Sequence, residues 1–288
     1  MDTSVVLLAL CSAALFGLGM VLTAIGLRAL SPLRGACISV PTTALMFIAA
    51  SPFALDLSAF DSRSALLFLL AGLLFPAIVT LLTFESNRRI GPHVTGALGN
   101  LTPLFAVLMA FLVLGETPRL GQLAAIAIIL AGVALLIRTP SAMPAGGVGW
   151  VLALPLAAVV IRGTVQPVVK LGLETWPSAF AAVLIGYIVS AMVLLTLGAV
   201  REGWAITRFS GHRWAMFLAV GAANGMAMFT MYAALARGPV IVVAPLIACY
   251  PLATLVFSRL IFGDTGLGWR VWVALGIIVA GVGLLLRA

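Results

Sequence analysis

Apolar runs of about twenty residues, punctuated by Arg, Gly and Pro, follow one another along nearly the whole chain. As a helix, a run of that length spans the ~30 Å hydrocarbon core of a bilayer. Reading between the punctuation predicts ten helices, five of them near residues 3–27, 33–55, 64–85, 92–114 and 120–138. The other five lie near 148–171, 177–199, 212–235, 240–262 and 269–287. Barrel strands would be shorter and interrupted, and backbone groups in lipid must find their partners within the segment. The expected fold is therefore an all-α membrane protein.

The second half repeats the first. Gly91-Pro92 recurs as Gly238-Pro239, Pro103 as Pro251, and Gly115-Glu116-Thr117 as Gly263-Asp264-Thr265, with the offset drifting only from 147 to 149 residues. Ile128 to Val133 matches Ile277 to Val282, and Arg138 and Arg287 close the copies. Gly17, Gly26-Leu27 and Pro32 stand more weakly opposite Gly163, Gly172-Leu173 and Pro177. Residues 1–138 form one five-helix repeat and 148–288 the other, joined by a linker at 139–147 that holds Pro140, Pro144 and Gly146-Gly147. An odd number of crossings per repeat sends the second copy into the membrane upside down. Inverted repeats of this kind are the architecture of secondary transporters, with a site near the midplane and access that alternates from side to side.

Composition agrees: 63% of residues are hydrophobic and 8% charged, with a mean hydropathy of +1.24, which leaves no stretch for a soluble domain. The net charge of +8 would suggest nucleic acid in a soluble protein. Here the cations sit singly between apolar runs and read as topology signals, so the expected partners are a bilayer and a small-molecule substrate, with no nucleic acid. Lys and Arg number ten on the side of the odd-numbered connections and five on the side of the termini, which places the termini outside. Cys11, Cys37 and Cys249 lie within apolar segments at no metal-ligand spacing, so neither a disulfide, a metal nor a cofactor is expected. Met1-Asp2-Thr3-Ser4 lacks a basic start, and the run that follows is too long for a signal peptide, so it counts as the first helix.

Arg162 is the most informative residue. It lies about halfway along the sixth predicted helix, where a charge is costly and marks a functional site by default. Gln166 and Lys170 follow on the same face, with Pro167 expected to bend the helix. Two readings stand: Arg162 or Gln166 receives a substrate carboxylate, or Arg162 makes a structural pair with Glu85 or a polar helix contact. In the fourth helix His93, Gly96, Asn100 and Leu104 share a face beside Thr102-Pro103. Asn100 is a substrate ligand or an interhelical hydrogen bond, worth ~1 kcal/mol in membranes. Glu85 and His93 are the only candidates for proton carriers, and both lie near a membrane edge. In the ninth helix Pro245 and Pro251 flank Cys249-Tyr250, an interruption suited to lining a cavity, where Tyr250 would stack on a substrate ring. Asn224, Met228 and Tyr232 share a face of the eighth helix, with Met228 either in a permissive pocket or in packing. Pro76, Thr80 and Thr83 hold matching positions in the third. Pro76, Pro103, Pro167, Pro245 and Pro251 are candidate breaks or gates.

The spacing of Pro103, Gly115-Glu116-Thr117 and Ala131-Gly132-Val133, repeated as Pro251, Gly263-Asp264 and Ala280-Gly281, resembles the EamA repeat of the drug/metabolite transporter superfamily. The resemblance covers nearly all of the chain and is nearest to the aromatic amino acid exporters of the YddG type. It implies a ten-helix exporter of small amphipathic metabolites, amino acids first, in a bacterial inner membrane, and it places Phe16 beside Thr80. A drug or cation carrier of the same fold is the alternative. Family members are often described with both termini in the cytoplasm, against the charge count. Asp264 departs from the usual Glu of the motif. Gly115, Glu116, Gly263 and Asp264 read as structural, capping helix ends or pairing with Arg119 or Arg270.

An intramembrane enzyme is disfavoured, because His93 and His212 lie on different helices and no nucleophile–base motif is present. A channel would want a symmetric ring of residues, which two inverted copies do not readily supply. The expected cavity draws on the first, third, fourth, sixth, eighth and ninth helices, with the fifth and tenth as scaffold. A monomer is favoured over an oligomer.

Overall fold

In a computed structural model the protein is described over residues 2–99, 101–137, 149–203, 214–262 and 269–287. Every described element is a helix. They run α1 (Thr3–Gly26), α2 (Pro32–Ala54), α3 (Ser62–Gly72), a π-helical segment (Leu73–Ile78), α4 (Val79–Gly99), α5 (Thr102–Leu114) and α6 (Leu120–Ile137). The second half has α7 (Gly149–Thr175), α8 (Ala179–Glu202), α9 (Ala215–Arg237), α10 (Val240–Ile247), α11 (Tyr250–Phe262) and α12 (Trp269–Arg287). Among the described residues seven helical stretches are long and apolar enough to cross a membrane, and three shorter apolar helices accompany them.

Local chemistry sets the helix starts. Asp2, Ser31, Asp61 and Ser178 each accept a backbone N–H of the first turn as N-caps of α1, α2, α3 and α8. Ser31 and Ser178 are matching caps in the two repeats. α5 stops at Gly115, whose φ of 68° is left-handed and favours glycine, which accounts for the first residue of the Gly-Glu-Thr motif.

Three features depart from the predicted helices. The third crossing breaks at Phe75, whose φ of −137° and ψ of 120° are extended, with Pro76 following. The backbone is helical from Val79 to Gly99, through Gly91-Pro92, where the hydropathy pattern predicts a connection. Glu85 bonds Arg88 and Arg89 at i+3 and i+4, side-chain pairs that favour helix across this polar stretch. The predicted fourth and ninth helices are each divided, between Gly99 and Thr102 and between Ile247 and Tyr250, so that Pro103 and Pro251 each occupy the second position of a new helix. Proline is accepted there because that N–H has no partner within the helix.

Packing obeys the duplication. A Cβ on Gly26 of α1 would meet the Phe217 ring at 2.7 Å, and one on Gly172 of α7 would meet Phe68 at 2.6 Å. Gly17 closes on Ala253 at 2.6 Å, and Gly163 on Phe105 at 2.6 Å. A Cβ on Gly132 of α6 would meet Ile278 at 2.7 Å, and one on Gly281 of α12 would meet Ile129 at 2.8 Å. Thr43 of α2 donates to the Gly221 carbonyl, as Ser190 of α8 does to that of Gly72. Each contact recurs with the halves exchanged, the mark of a pseudo-two-fold axis. α6 and α12 pack on each other. Close approach through small residues is the usual means of helix association in lipid.

Candidate functional site

The centre of the molecule holds a cavity of about 70 Å³. That is room for about five to seven water molecules at ~10–15 Å³ each. Its wall is half aliphatic and aromatic (Phe16, Met20, Val40, Phe75, Phe84) and half polar (Thr23, Ser39, Thr43, Thr80, Thr83, Tyr187, Asn224, Tyr250), with Arg162 as the one charged side chain among the described residues. Two smaller voids of about 20 Å³ each adjoin it, and Arg162 and Tyr250 line all three.

Arg162 stands at the middle of α7, thirteen residues or about 20 Å from its start at 1.5 Å per residue. Its guanidinium carbon lies 5.3 Å from the centroid of the Phe75 ring, within cation–π range. Tyr187 and Tyr250 are close enough to feel its charge. Its Nε is buried and has no hydrogen-bond partner. The structural pair with Glu85 is ruled out, since Glu85 is engaged by Arg88 at 2.7 Å and by Arg89 at 2.5 Å. Of the other described acids, Asp2, Asp56 and Asp61 bind Ser4, Ser58 and Ser64. Glu202 pairs with Arg34, Glu116 binds backbone, and Glu174 is exposed. A cation in the membrane interior costs ~3 kcal/mol or more, so one left without a carboxylate is a candidate receptor for an anion.

Phe16, Thr80, Arg162, Asn224 and Tyr250 therefore come together around one cavity, with Pro76 and Thr83 in its wall. Gln166 lies behind it, 2% exposed on a small void with Arg162 and Tyr250, and its Oε1 has no partner. Met228 is 1% exposed and Tyr232 2%; both pack in the core and neither lines the cavity. Lys170 leaves the Arg162 row and donates to the Leu235 and Gly238 carbonyls at 2.8 and 3.2 Å. Leu104 is 48% exposed on an outer apolar groove and belongs to α5, a helix separate from the α4 that carries His93 and Gly96. Pro167 interrupts nothing, since α7 runs through it, and Pro245 lies inside α10 one turn before the break. Glu85, facing its arginines, is not on the cavity wall. Asn100, Gly263, Asp264, Arg138, His212 and the 139–147 linker lie outside the described residues, as do the side chains of His93 and Arg270 and the surroundings of Gly96.

Sequence patterning missed α2 and α8. Ser39, Val40, Thr43 and Tyr187 line the cavity from helices that carried no such expectation. Glycines were the readable signal for α2: a Cβ on Gly221 would collide with the Ser39 carbonyl and one on Gly225 with the Thr43 methyl, so α9 leaves room for the α2 residues of the cavity wall.

Glu116 has the structural role expected, but on a different helix. Its carboxylate accepts from the Val240 and Ile241 amides at 3.0 and 3.1 Å, capping α10 in the opposite repeat. With Lys170 on the last carbonyls of α9, the Gly238-Pro239 joint has an anion at one helix start and a cation at the other helix end, each matching the helix dipole.

The EamA-like transporter family matches residues 3–138 and again 149–287. The chain belongs to that family. It is thus a multi-pass membrane transporter of small solutes, built as two EamA repeats, and the family is one of transporters rather than enzymes. A solved crystal structure matches with a TM-score of 0.79 over 99% of this chain and 96% of that one. At 18% identity the likeness is one of fold. No curated protein matches the chain.

Proposed function

We propose that this EamA transporter moves small amphipathic metabolites bearing a carboxylate, by alternating access around the central cavity, with Arg162 receiving the carboxylate. The single observation that carries the reading is Arg162 itself: mid-helix, on the cavity wall, and without an acidic partner among the described residues. Tyr187, Tyr250, Asn224 and the threonines offer hydrogen bonds around it, while Phe16, Phe75 and Phe84 accept the apolar part of a solute. A carrier of cationic drugs would have to bring its cargo against that guanidinium. Amino acids, the substrates implied by the resemblance, carry the required carboxylate, and so do their 2-hydroxy and 2-keto counterparts. Inverted repeats, outward export and a bacterial inner membrane belong to the same reading.

The test is efflux of a panel of radiolabelled carboxylates from proteoliposomes, with and without a pH gradient. Arg162→Ala should lower efflux to the level of empty liposomes while keeping the chromatographic profile of the folded protein. Undiminished efflux from that variant would sink the site assignment.

A further inference from the structure

Resting on that reading of Arg162, we infer that the site takes a monovalent organic anion rather than a zwitterion, and that its transport carries net charge across the membrane. The wall has one cation and no carboxylate among its described residues. Seven of the eight acidic residues are placed away from it by their own partners or by exposure, and Asp264 lies outside the described residues. A monoanion on Arg162 makes a neutral pair, which a low-dielectric interior tolerates better than an uncompensated cation. A zwitterion brings its own ammonium, restores one net positive charge to the cavity, and finds only neutral acceptors for it. The Oε1 of Gln166, buried behind Arg162 without a partner, is such an acceptor: it suits the hydroxyl of a 2-hydroxy acid and does not neutralise an ammonium.

Charge movement follows from the same inventory. No described carboxylate faces the cavity, so none of the described wall residues carries a proton along with the anion. An anion that crosses alone moves one negative charge, whereas an uncoupled amino acid moves none.

Pairs of near-isosteric solutes differing only in this charge make the test. Wild-type proteoliposomes would be loaded with low-potassium buffer and given valinomycin, so that potassium added outside makes the interior positive. Uptake of radiolabelled L-lactate would be compared with L-alanine, and of L-phenyllactate with L-phenylalanine, so that solute size is controlled. The expected result is uptake of the hydroxy acid about tenfold faster than its amino acid in at least one pair, rising as the interior is made positive. Arg162→Gln should abolish it, and Arg162→Lys, which keeps the charge, should retain the preference for the anion at a lower rate. Equal or faster uptake of the amino acid, or hydroxy acid uptake indifferent to potential, would overturn this inference; if Arg162→Gln still stopped it, the carboxylate reading would stand. Uptake of neither member above empty liposomes, or uptake unaltered in Arg162→Gln, would overturn both.

Discussion

Arg162 and Phe75 face each other across the central cavity at 5.3 Å, a cation from the second repeat over a ring from the first. Phe75 is also the residue whose extended backbone breaks the third crossing, so the break aims the ring. Such a contact is worth ~0.5–2 kcal/mol. Phe75→Leu should therefore raise the transport KM by about threefold to tenfold while leaving the rate at saturation nearly unchanged, as read from concentration series in proteoliposomes. A lowered maximal rate with unaltered KM would show that the ring serves the conformational cycle instead.

Ser190 of α8 holds that break from the other side. Its hydroxyl donates to the Gly72 carbonyl and accepts from the Ala77 amide at 3.2 Å, two backbone groups left over where the helix is interrupted. Ser190→Ala should cost about 1–3 kcal/mol, the penalty of unpartnered buried groups. A drop in the thermal midpoint measured in detergent checks it, and Ser190→Thr, which retains the hydroxyl, should recover part of the loss.

Gly72 and Gly186 make an unequal pair. A Cβ on Gly72 would lie 2.6 Å from the Gly186 Cα and carbonyl oxygen, whereas one on Gly186 meets nothing nearer than 3.8 Å. Backbone has nowhere to retreat, so Gly72→Ala should destabilise by about 1–3 kcal/mol as overpacking does. Gly186→Ala should be close to neutral. Comparable thermal shifts in the two variants would contradict this packing of α3 against α8.

Glu116 ties the loop after α5 to the start of α10. Replacing it with Ala removes the acceptor for the Val240 and Ile241 amides, and hydrogen exchange followed by mass spectrometry should show peptides covering residues 240–241 exchanging faster by about tenfold. Protection unchanged from wild type would mean that α10 is held at this end without the carboxylate.

The duplication was legible because glycine, proline and acidic residues are rare enough in an apolar chain to mark register. Gly17 and Gly163 matched in sequence, and they make matching contacts in the fold. Arg162 was legible for a related reason, since a lone charge in a span has few bland explanations. Face assignments were less secure. The row His93, Gly96, Asn100, Leu104 requires an unbroken helix, whereas α4 and α5 are separate helices and Leu104 of α5 is exposed. Met228 sits on the same helix as Asn224 and one turn away, yet it is enclosed by core neighbours while Asn224 reaches the cavity.

By itself the sequence determined the membrane class, the two repeats and the helical character of the chain, because the need to satisfy backbone groups in lipid leaves few alternatives for long apolar runs. Tertiary structure decided which side of each helix faces the centre. α2 scatters Ser39, Thr42, Thr43 and Ser51 among apolar residues and α8 is mostly apolar, so patterning alone does not distinguish Thr43 or Tyr187 from residues that face lipid. Their inward direction comes from glycine-sized gaps and carbonyls on neighbouring helices, such as Gly221 for Thr43 and Gly72 for Ser190. The target of Glu116 was decided in the same way: a carboxylate at a loop advertises a cap, but only the packing of the two repeats brings it to the start of α10.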